Sequence, residues 1–417
     1  MNETALERFL RYAKIDTQSQ DGSDSYPSTQ KQFNLLNLLA IELKELGYNE
    51  VIIDEYGYVF ATIPANLPDS HPAYGRVPVI GFLAHVDTSP DSSGKDVMPQ
   101  IIENYQGGDI NLPGDPSKTI KMSENKKLKD CIGHTIVTSD GTTLLGADDK
   151  AGVAAIMTLT QTLANEKDIL HGDIRIAFTP DEEIGQGTKY FDIKKFGAKY
   201  AYTIDGEMPG ELNKETFSAN SAIITIEGRD IHPGTAKDIM VNSIRAMADI
   251  IARLPRDMAP ETTEKYEPYI HPHTAEGSVS KSTIKFLFRD FKTAGLDDQK
   301  KILEAIINEV QPLHPKAKIN LEIIEMYRNM REKLDENPLV LDCLWEAAEQ
   351  AGANPFWEPI RGGTDGSRLT EMGLPTPNIY AGGQNFHSVN EWLSVDSMNL
   401  TVITLINLVQ IWVKKSQ

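Results

Sequence analysis

The sequence predicts an α/β fold: a discontinuous domain on a mostly parallel sheet, with a smaller α+β domain inserted into it. Three observations predict it. Short apolar runs at 77–84, 173–179 and 200–204 alternate with stretches of helical periodicity. From about residue 217 the order becomes strand, helix, strand, strand, helix, strand, a βαββαβ arrangement of ferredoxin-like order. After residue 335 the first texture returns.

Each element has a local reason. Residues 33–46 (FNLLNLLAIELKEL) are apolar at helical spacing, and Gly47 supplies a stop. VPVIGFLA (77–84) is an almost continuous apolar run, as suits a strand buried on both faces. Between 92 and 143 the pattern weakens into Gly, Pro, Lys and Asp, which reads as an excursion with a hairpin rather than a domain. Residues 151–163 put Val153, Ile156, Thr160 and Leu163 on one helical face, and DIRIAFT (173–179) and YAYTI (200–204) are two more strands. The insertion reads as strand 221–228, helix 238–253, strands 269–277 and 281–291, helix 297–311 and strand 318–327. Helix 338–351, strand 376–380 and a closing helix at 395–414 follow, the last lined by Met398, Val402, Leu405, Val409 and Trp412. The expected domains are therefore 1–216 with 331–417, and 217–330 between them.

Composition narrows the function. The 417 residues include 60 acidic and 41 basic side chains, a formal charge of −19. That balance argues against a nucleic-acid or anionic-membrane partner, either of which needs a positive surface. No apolar run approaches the roughly 20 residues that span a bilayer, and MNETALERF has no apolar leader segment. Cys131 and Cys343 are far apart and form no CxxC pair, which excludes a disulfide framework or thiolate zinc knuckle and fits a reducing, cytoplasmic setting.

In an open α/β sheet, ligands collect beyond the carboxyl ends of the strands. There the sequence carries His85-Val86-Asp87, Asp148-Asp149-Lys150, Asp181-Glu182-Glu183, Asp205-Gly206-Glu207 and Asn385-Phe386-His387. Like charges gathered in one crevice repel unless a cation neutralises them. Imidazole and carboxylate with no thiolate suit Zn²⁺, with Mn²⁺ or Co²⁺ as competitors. Two ions fit: His85, Asp148 and Asp205 on one, and Asp148, Glu183 and His387 on the other, each with an open position. Glu182 is left over beside a ligand, where it can act as general base for a metal-activated hydroxide. Asp87 follows His85 by two residues, so on extended backbone it can accept the second imidazole N–H. Asp149 is explained by the helix dipole, Lys150 by local packing, and His271 and His273 are assigned no function.

The stretches AHVDTSPDSSGK (84–95), LLGADDKAGVAA (144–155), FTPDEEIGQGTKYFD (178–192), TIDGEMPGELN (203–213), HPGTAKDIMVNS (232–243), RGGTDGSRLTEMGLPTPN (361–378) and GGQNFHSVNEW (382–392) run through the whole chain. Together they resemble the tripeptide aminopeptidase (peptidase T) branch of the zinc-dependent aminoacylase and carboxypeptidase superfamily. The resemblance implies the same two-zinc site, the same roles for His85, Asp87, Asp148, Glu182, Glu183, Asp205 and His387, and a cis peptide bond after Asp148. It also implies short peptides as substrates, an inserted domain that serves as a lid, and His232 as the group that binds the substrate carbonyl. Arg289, Arg361 and Asn385 are the implied holders of the substrate backbone and carboxylate, and a planar guanidinium suits a carboxylate in its own right. The oligomeric state stays open; related enzymes suggest a homodimer, with His232 acting within its subunit or across the interface. Competing readings are a deacylase or carboxypeptidase of the same superfamily, a non-catalytic metal- or peptide-binding protein, and a dinuclear phosphoesterase, for which no phosphate cradle is present.

Overall fold

A computed structural model describes residues 3–417, which divide into two compact units. The first comprises residues up to Lys214, then Glu332–Glu358 and Thr364–Gln417; the second comprises Glu215–Arg331 and Pro359–Gly363.

In the first unit an eight-stranded sheet runs in the order Val51–Ile53, Val59–Ile63, Ile174–Thr179, Ile80–His85, Tyr200–Gly206, Asn378–Tyr380, Glu211–Asn213, Phe356–Trp357. The four central strands, Ile174–Thr179 to Asn378–Tyr380, are mutually parallel. Ile80–His85 is buried along its whole length, as its unbroken apolar run requires. On one face Tyr58, Phe60, Leu83, Ala177 and Ala201 pack with Phe191, Phe196, Leu369 and Leu374. The helix Ala147–Asn165 packs on the strands Ile80–His85 and Tyr200–Gly206 and against the helices Ala5–Ala13 and Val395–Lys415.

Several features go beyond the sequence reading. The helix Ala5–Ala13 starts at a capping box between Thr4 and Glu7, and the hairpin Val51–Ile53/Val59–Ile63 closes the sheet edge. The excursion at 92–143 contributes the small hairpin Ile110–Asn111/Thr119–Ile120. It also supplies two strands, Gln100–Ile102 and Ile136–Thr138, of an antiparallel sheet completed by Trp392–Ser394 and Gly383–Gln384. Val395–Lys415 is, contrary to the reading of the apolar runs, long and apolar enough to cross a bilayer. Most of its apolar side chains, among them Met398, Leu405, Leu408 and Trp412, are instead buried in the unit. Trp412 stacks on Tyr200 and donates its indole N–H to the Tyr202 hydroxyl at 3.0 Å.

The second unit is an antiparallel sheet in the order Tyr269–Gly277, Lys281–Asp290, Ser218–Glu227, Lys318–Tyr327, with helices Ser243–Ile251 and Thr293–Val310. The chain order and sheet order together are ferredoxin-like. Alternation puts Ala222, Ile224 and Ile226 of one strand, and Ile284, Phe286 and Phe288 of the next, into a core with Ala246, Ile250, Leu303 and Val310. The first helix begins at Ser243 rather than 238, because Asn242 caps it by accepting the Ile244 N–H and Val241 is held in a bridge to Arg229. The segment Pro359–Gly363 joins this unit through Ile360, which bridges Thr216, and Arg361, which lies over the rings of Phe217 and Tyr269.

Phe286 is fully buried. Phe286→Ala is expected to lower the stability of this unit by about 3–5 kcal/mol, read as an earlier urea midpoint by far-UV circular dichroism. An unchanged midpoint would refute its place at the centre of the core.

Candidate metal centre

Parallel strands deliver the acids and imidazoles to one edge of the first unit. His85 is the last residue of Ile80–His85, and Asp205 lies near the end of Tyr200–Gly206. Glu183 sits in the 3₁₀ turn Glu182–Ile184 that follows Ile174–Thr179, and Asp148 opens the helix Ala147–Asn165 across a cis bond to Asp149. His387 lies in the loop between the strands Gly383–Gln384 and Trp392–Ser394. That loop is shaped by Asn385 and His387, both at positive φ, and by Gly382, where a Cβ would stand 2.9 Å from the Met398 nitrogen.

Asp148 is the centre of the arrangement. One carboxylate oxygen lies 2.8 Å from His85 Nε2 and the other 3.3 Å from His387 Nε2. Asp205 stands 3.6 Å from His85 Nε2, and Glu183 stands 2.8 Å from His387 Nε2. Two triads result, His85–Asp148–Asp205 and Asp148–Glu183–His387, and in each the candidate ligand atoms lie within 4.8 Å of one another.

The electrostatics suit a cation. Burial, then the charge of Asp148, raises Glu183 to about 8, and burial raises Asp205 to about 6. Bonds to Asp148 and Glu183 raise His387 to about 11. Asp148 is lowered despite its burial, because both imidazoles bond to it. Burial raises Glu182 well above an ordinary carboxyl, and neighbouring Asp205 and Asp365 add to the effect. Glu183 Oε1 is buried without a hydrogen-bond partner, an acceptor that a divalent ion would satisfy. The donor set, its spacing and this orphaned oxygen fit a pair of divalent ions.

Asp87 is fully buried, and its carboxylate accepts the backbone N–H groups of Glu182 and Glu183 at 3.0 and 3.2 Å. The shorter contact to His85 Nδ1, 3.0 Å, comes from the Asp87 carbonyl oxygen, while the carboxylate stands at 3.4 Å. Glu182 lies outside both triads. The Asn385 side chain donates to the Asn390 carbonyl at 3.1 Å.

The remaining expected residues belong to the second unit. His232 is exposed and accepts the Gly234 N–H through Nδ1 at 3.1 Å. Arg289 lies over the Tyr327 ring and donates to the Phe288 carbonyl at 2.9 Å. Arg361 donates to the carbonyls of Lys265 and Glu267 at 2.7 and 2.9 Å and to Thr263 Oγ1 at 2.9 Å. Roles for these three toward a substrate rest on the resemblance alone.

Sequence reasoning missed the acids that hold backbone. Asp149, read as a dipole residue, is buried; at the kink in the helix's first turn it accepts the Gly152 N–H at 3.2 Å and also accepts the His85 N–H at 3.3 Å. Asp181 accepts the Ser28 N–H and the Gln32 amide, each at 2.6 Å. Asp365 accepts the Thr179 hydroxyl at 2.7 Å, and Glu391 accepts three backbone N–H groups. Asp149 and Asp181 stood in the strand-end groups without this role being read for them, and Asp365 and Glu391 showed only as members of the stretches RGGTDGSRLTEMGLPTPN and GGQNFHSVNEW. Lys150 is buried as expected of a packing residue and donates to the Ile15 carbonyl at 2.8 Å.

Residues 138–410 match the peptidase family M20/M25/M40. A protein named peptidase T from Geobacillus thermodenitrificans is 45% identical over 416 residues, with 100% of both chains covered. The chain belongs to family M20/M25/M40, in its peptidase T group. A tripeptidase from Staphylococcus aureus has a similar fold, with a TM-score of 0.77 at 22% identity and 99% of each chain covered. So does a dinuclear metal-binding peptidase of the M20 family from Bacillus subtilis, with a TM-score of 0.65 at 14% identity and 98% of each chain covered. The chain is thus a peptidase-family hydrolase on a mixed α/β fold.

Divalent ions taken up by these groups must displace protons from His387, Glu183 and Asp205. Binding is therefore expected to release protons and to weaken steadily as pH falls from 8 to 5, where these groups hold their protons more fully. Calorimetric titration in two buffers of different ionisation enthalpy checks this; a buffer-independent heat would contradict it.

Proposed function

We propose that the chain is a dizinc aminopeptidase that removes the N-terminal residue of tripeptides. The reading is supported above all by the two triads that share Asp148. The names peptidase T and tripeptidase among its relatives support the substrate class, and the dinuclear M20 neighbour supports the ion count. Imidazole and carboxylate donors without thiolate suit zinc, with manganese or cobalt as substitutes. Cys131 and Cys343 are buried free thiols, in keeping with the cytoplasmic setting we propose.

His85, Asp148 and Asp205 would hold one ion, and Asp148, Glu183 and His387 the other. Bound there, such ions supply Lewis acidity and lower the pKa of water toward neutrality. Glu182 accepts the proton of the attacking water and passes it to the nitrogen of the departing amine as the C–N bond breaks. Burial holds its pKa above that of an ordinary carboxyl, the direction that suits a group which must take up a proton and then give it away. Asp87 keeps the Glu182 and Glu183 amides in place, so the acid that moves protons does not trade places with the acid that would hold an ion.

Metal analysis of the purified protein is expected to find two equivalents of zinc, with tripeptide cleavage lost on chelation and restored by zinc; cleavage that survives thorough chelation would overturn the reading. A free-amine tripeptide is expected to be cleaved and its N-acetyl form rejected, whereas preference for the acetylated form would indicate a deacylase. Glu182→Ala is expected to retain both ions and to lose about 10²–10⁴-fold in turnover. Loss of metal from that variant would contradict its role as base.

A further inference from the structure

Beyond these roles, we infer that Glu391 is a positioning residue that sets Asp148 against His387 and so completes the second triad. The inference rests on the metal reading above. Glu391 is 1% exposed, and its carboxylate grips the segment that leads into Asp148. Oε2 accepts the N–H groups of Leu145 and Gly146 at 2.8 and 2.7 Å, and Oε1 accepts the N–H of Asp148 itself at 3.0 Å. Gly146 is in the left-handed region at φ 81°, a conformation that costs glycine little. The helix that follows leaves its first N–H groups without intrahelical partners, so a buried acceptor here also meets a backbone need.

The other end of Glu391 is tied to His387. The two residues share one short loop, closed by the Glu391 N–H donating to the Ser388 carbonyl at 3.2 Å and the Asn390 N–H to Ser388 Oγ at 3.2 Å. The Ser388 hydroxyl in turn donates to the Asn385 carbonyl at 2.7 Å. A closed circuit results: His387 to the Asp148 carboxylate, the Asp148 backbone to the Glu391 carboxylate, and the Glu391 backbone back to the His387 loop. It joins segments about 240 residues apart, and each link limits the movement of the other two. A single neutral carbonyl could satisfy one or two of these N–H groups. Two carboxylate oxygens fix both the position and the rotation of the segment, the property a ligand shared by two ions demands.

Cobalt(II) titration of the chelator-stripped full chain, followed by its visible absorption, tests the inference. The unmodified chain is expected to take two equivalents. Glu391→Gln keeps the volume but turns an NH₂ group toward one of the N–H donors. It is expected to weaken the second equivalent about 10- to 100-fold and to shift its absorption bands, with Glu391→Asp, which keeps both oxygens, recovering part of the affinity. A glutamine variant that binds both equivalents with unchanged affinity and spectrum would overturn the inference, even if the stripped protein melts at a lower temperature, because Glu391 would then be a loop strut only. Should Glu391→Ala fail to fold, the glutamine variant of equal volume carries the decision. An unmodified chain that takes up no cobalt would overturn the metal reading itself, and this inference with it, a result distinct from equal binding by both proteins.

Discussion

Asp148 offers one oxygen to each of two imidazoles, and Asp205, Glu183, Glu182 and Asp149 crowd the same strand-end crevice. Two like unit charges 4 Å apart repel by about 4 kcal/mol at the effective dielectric of a protein. A crevice holding this many carboxylates is unfavourable unless protons or cations enter it. Without ions the crevice holds protons, with Glu183 raised to about 8 and Asp205 to about 6, and only Asp148, bonded by both imidazoles, resists them. Positive charge held between the side chains satisfies all of them together, and the rest of the first unit is arranged around that requirement.

The acids of the site fall into two groups by what they hold. Asp148, Asp205 and Glu183 face imidazoles. Asp87, Asp149, Asp181 and Glu391 accept backbone N–H groups, and those held by Asp87 and Glu391 belong to Glu183, Asp148 or their neighbours. The second group explains how loops and turns, which ordinarily move more than strands, can present ligand atoms at fixed separations. Gly152 is part of the same economy of space: a Cβ there would stand 2.0 Å from the Ile204 carbonyl oxygen and 2.4 Å from Asp149 Oδ1. Only glycine lets the helix behind Asp148 lie this close to the strand that carries Asp205.

The sequence made the first group legible and hid what the second group holds, for a physical reason. Candidate ligands at strand ends announce themselves by type and position, since an apolar run that stops at His85 or just short of Asp205 points to the crevice. Asp87, Asp149 and Asp181 share that position, but nothing local shows that they hold backbone, because their partners are amides common to every residue. Glu391 lies about 240 positions from the amides it binds, and no local pattern links them. The same limit explains the fold. The order of strands and helices after residue 217 revealed the second unit, whereas Pro359–Gly363 has no periodicity and joins that unit only through contacts such as the Ile360 bridge. The closing helix misled the reading of apolar runs in the opposite sense: Thr401 and Thr404 break its hydropathy only slightly, yet its burial is against protein.

Glu182 and Glu183 are neighbours in the chain but not in environment. In a 3₁₀ turn successive side chains point about 120° apart, so Glu183 can meet His387 while Glu182 is left free of that pairing. The turn is not left to its own propensity. Asp181 enters it at φ 58°, a conformation that a non-glycine residue adopts at a cost, and bonds to Ser28 and Gln32 hold that residue in place. Asp87 then takes the two following amides, one on each carboxylate oxygen. Rotation of the turn by one residue would bring the wrong carboxylate to His387 and break all of these bonds. Two identical side chains on adjacent residues thereby acquire different surroundings, because the backbone between them is fixed by acids that themselves touch no imidazole of the second triad.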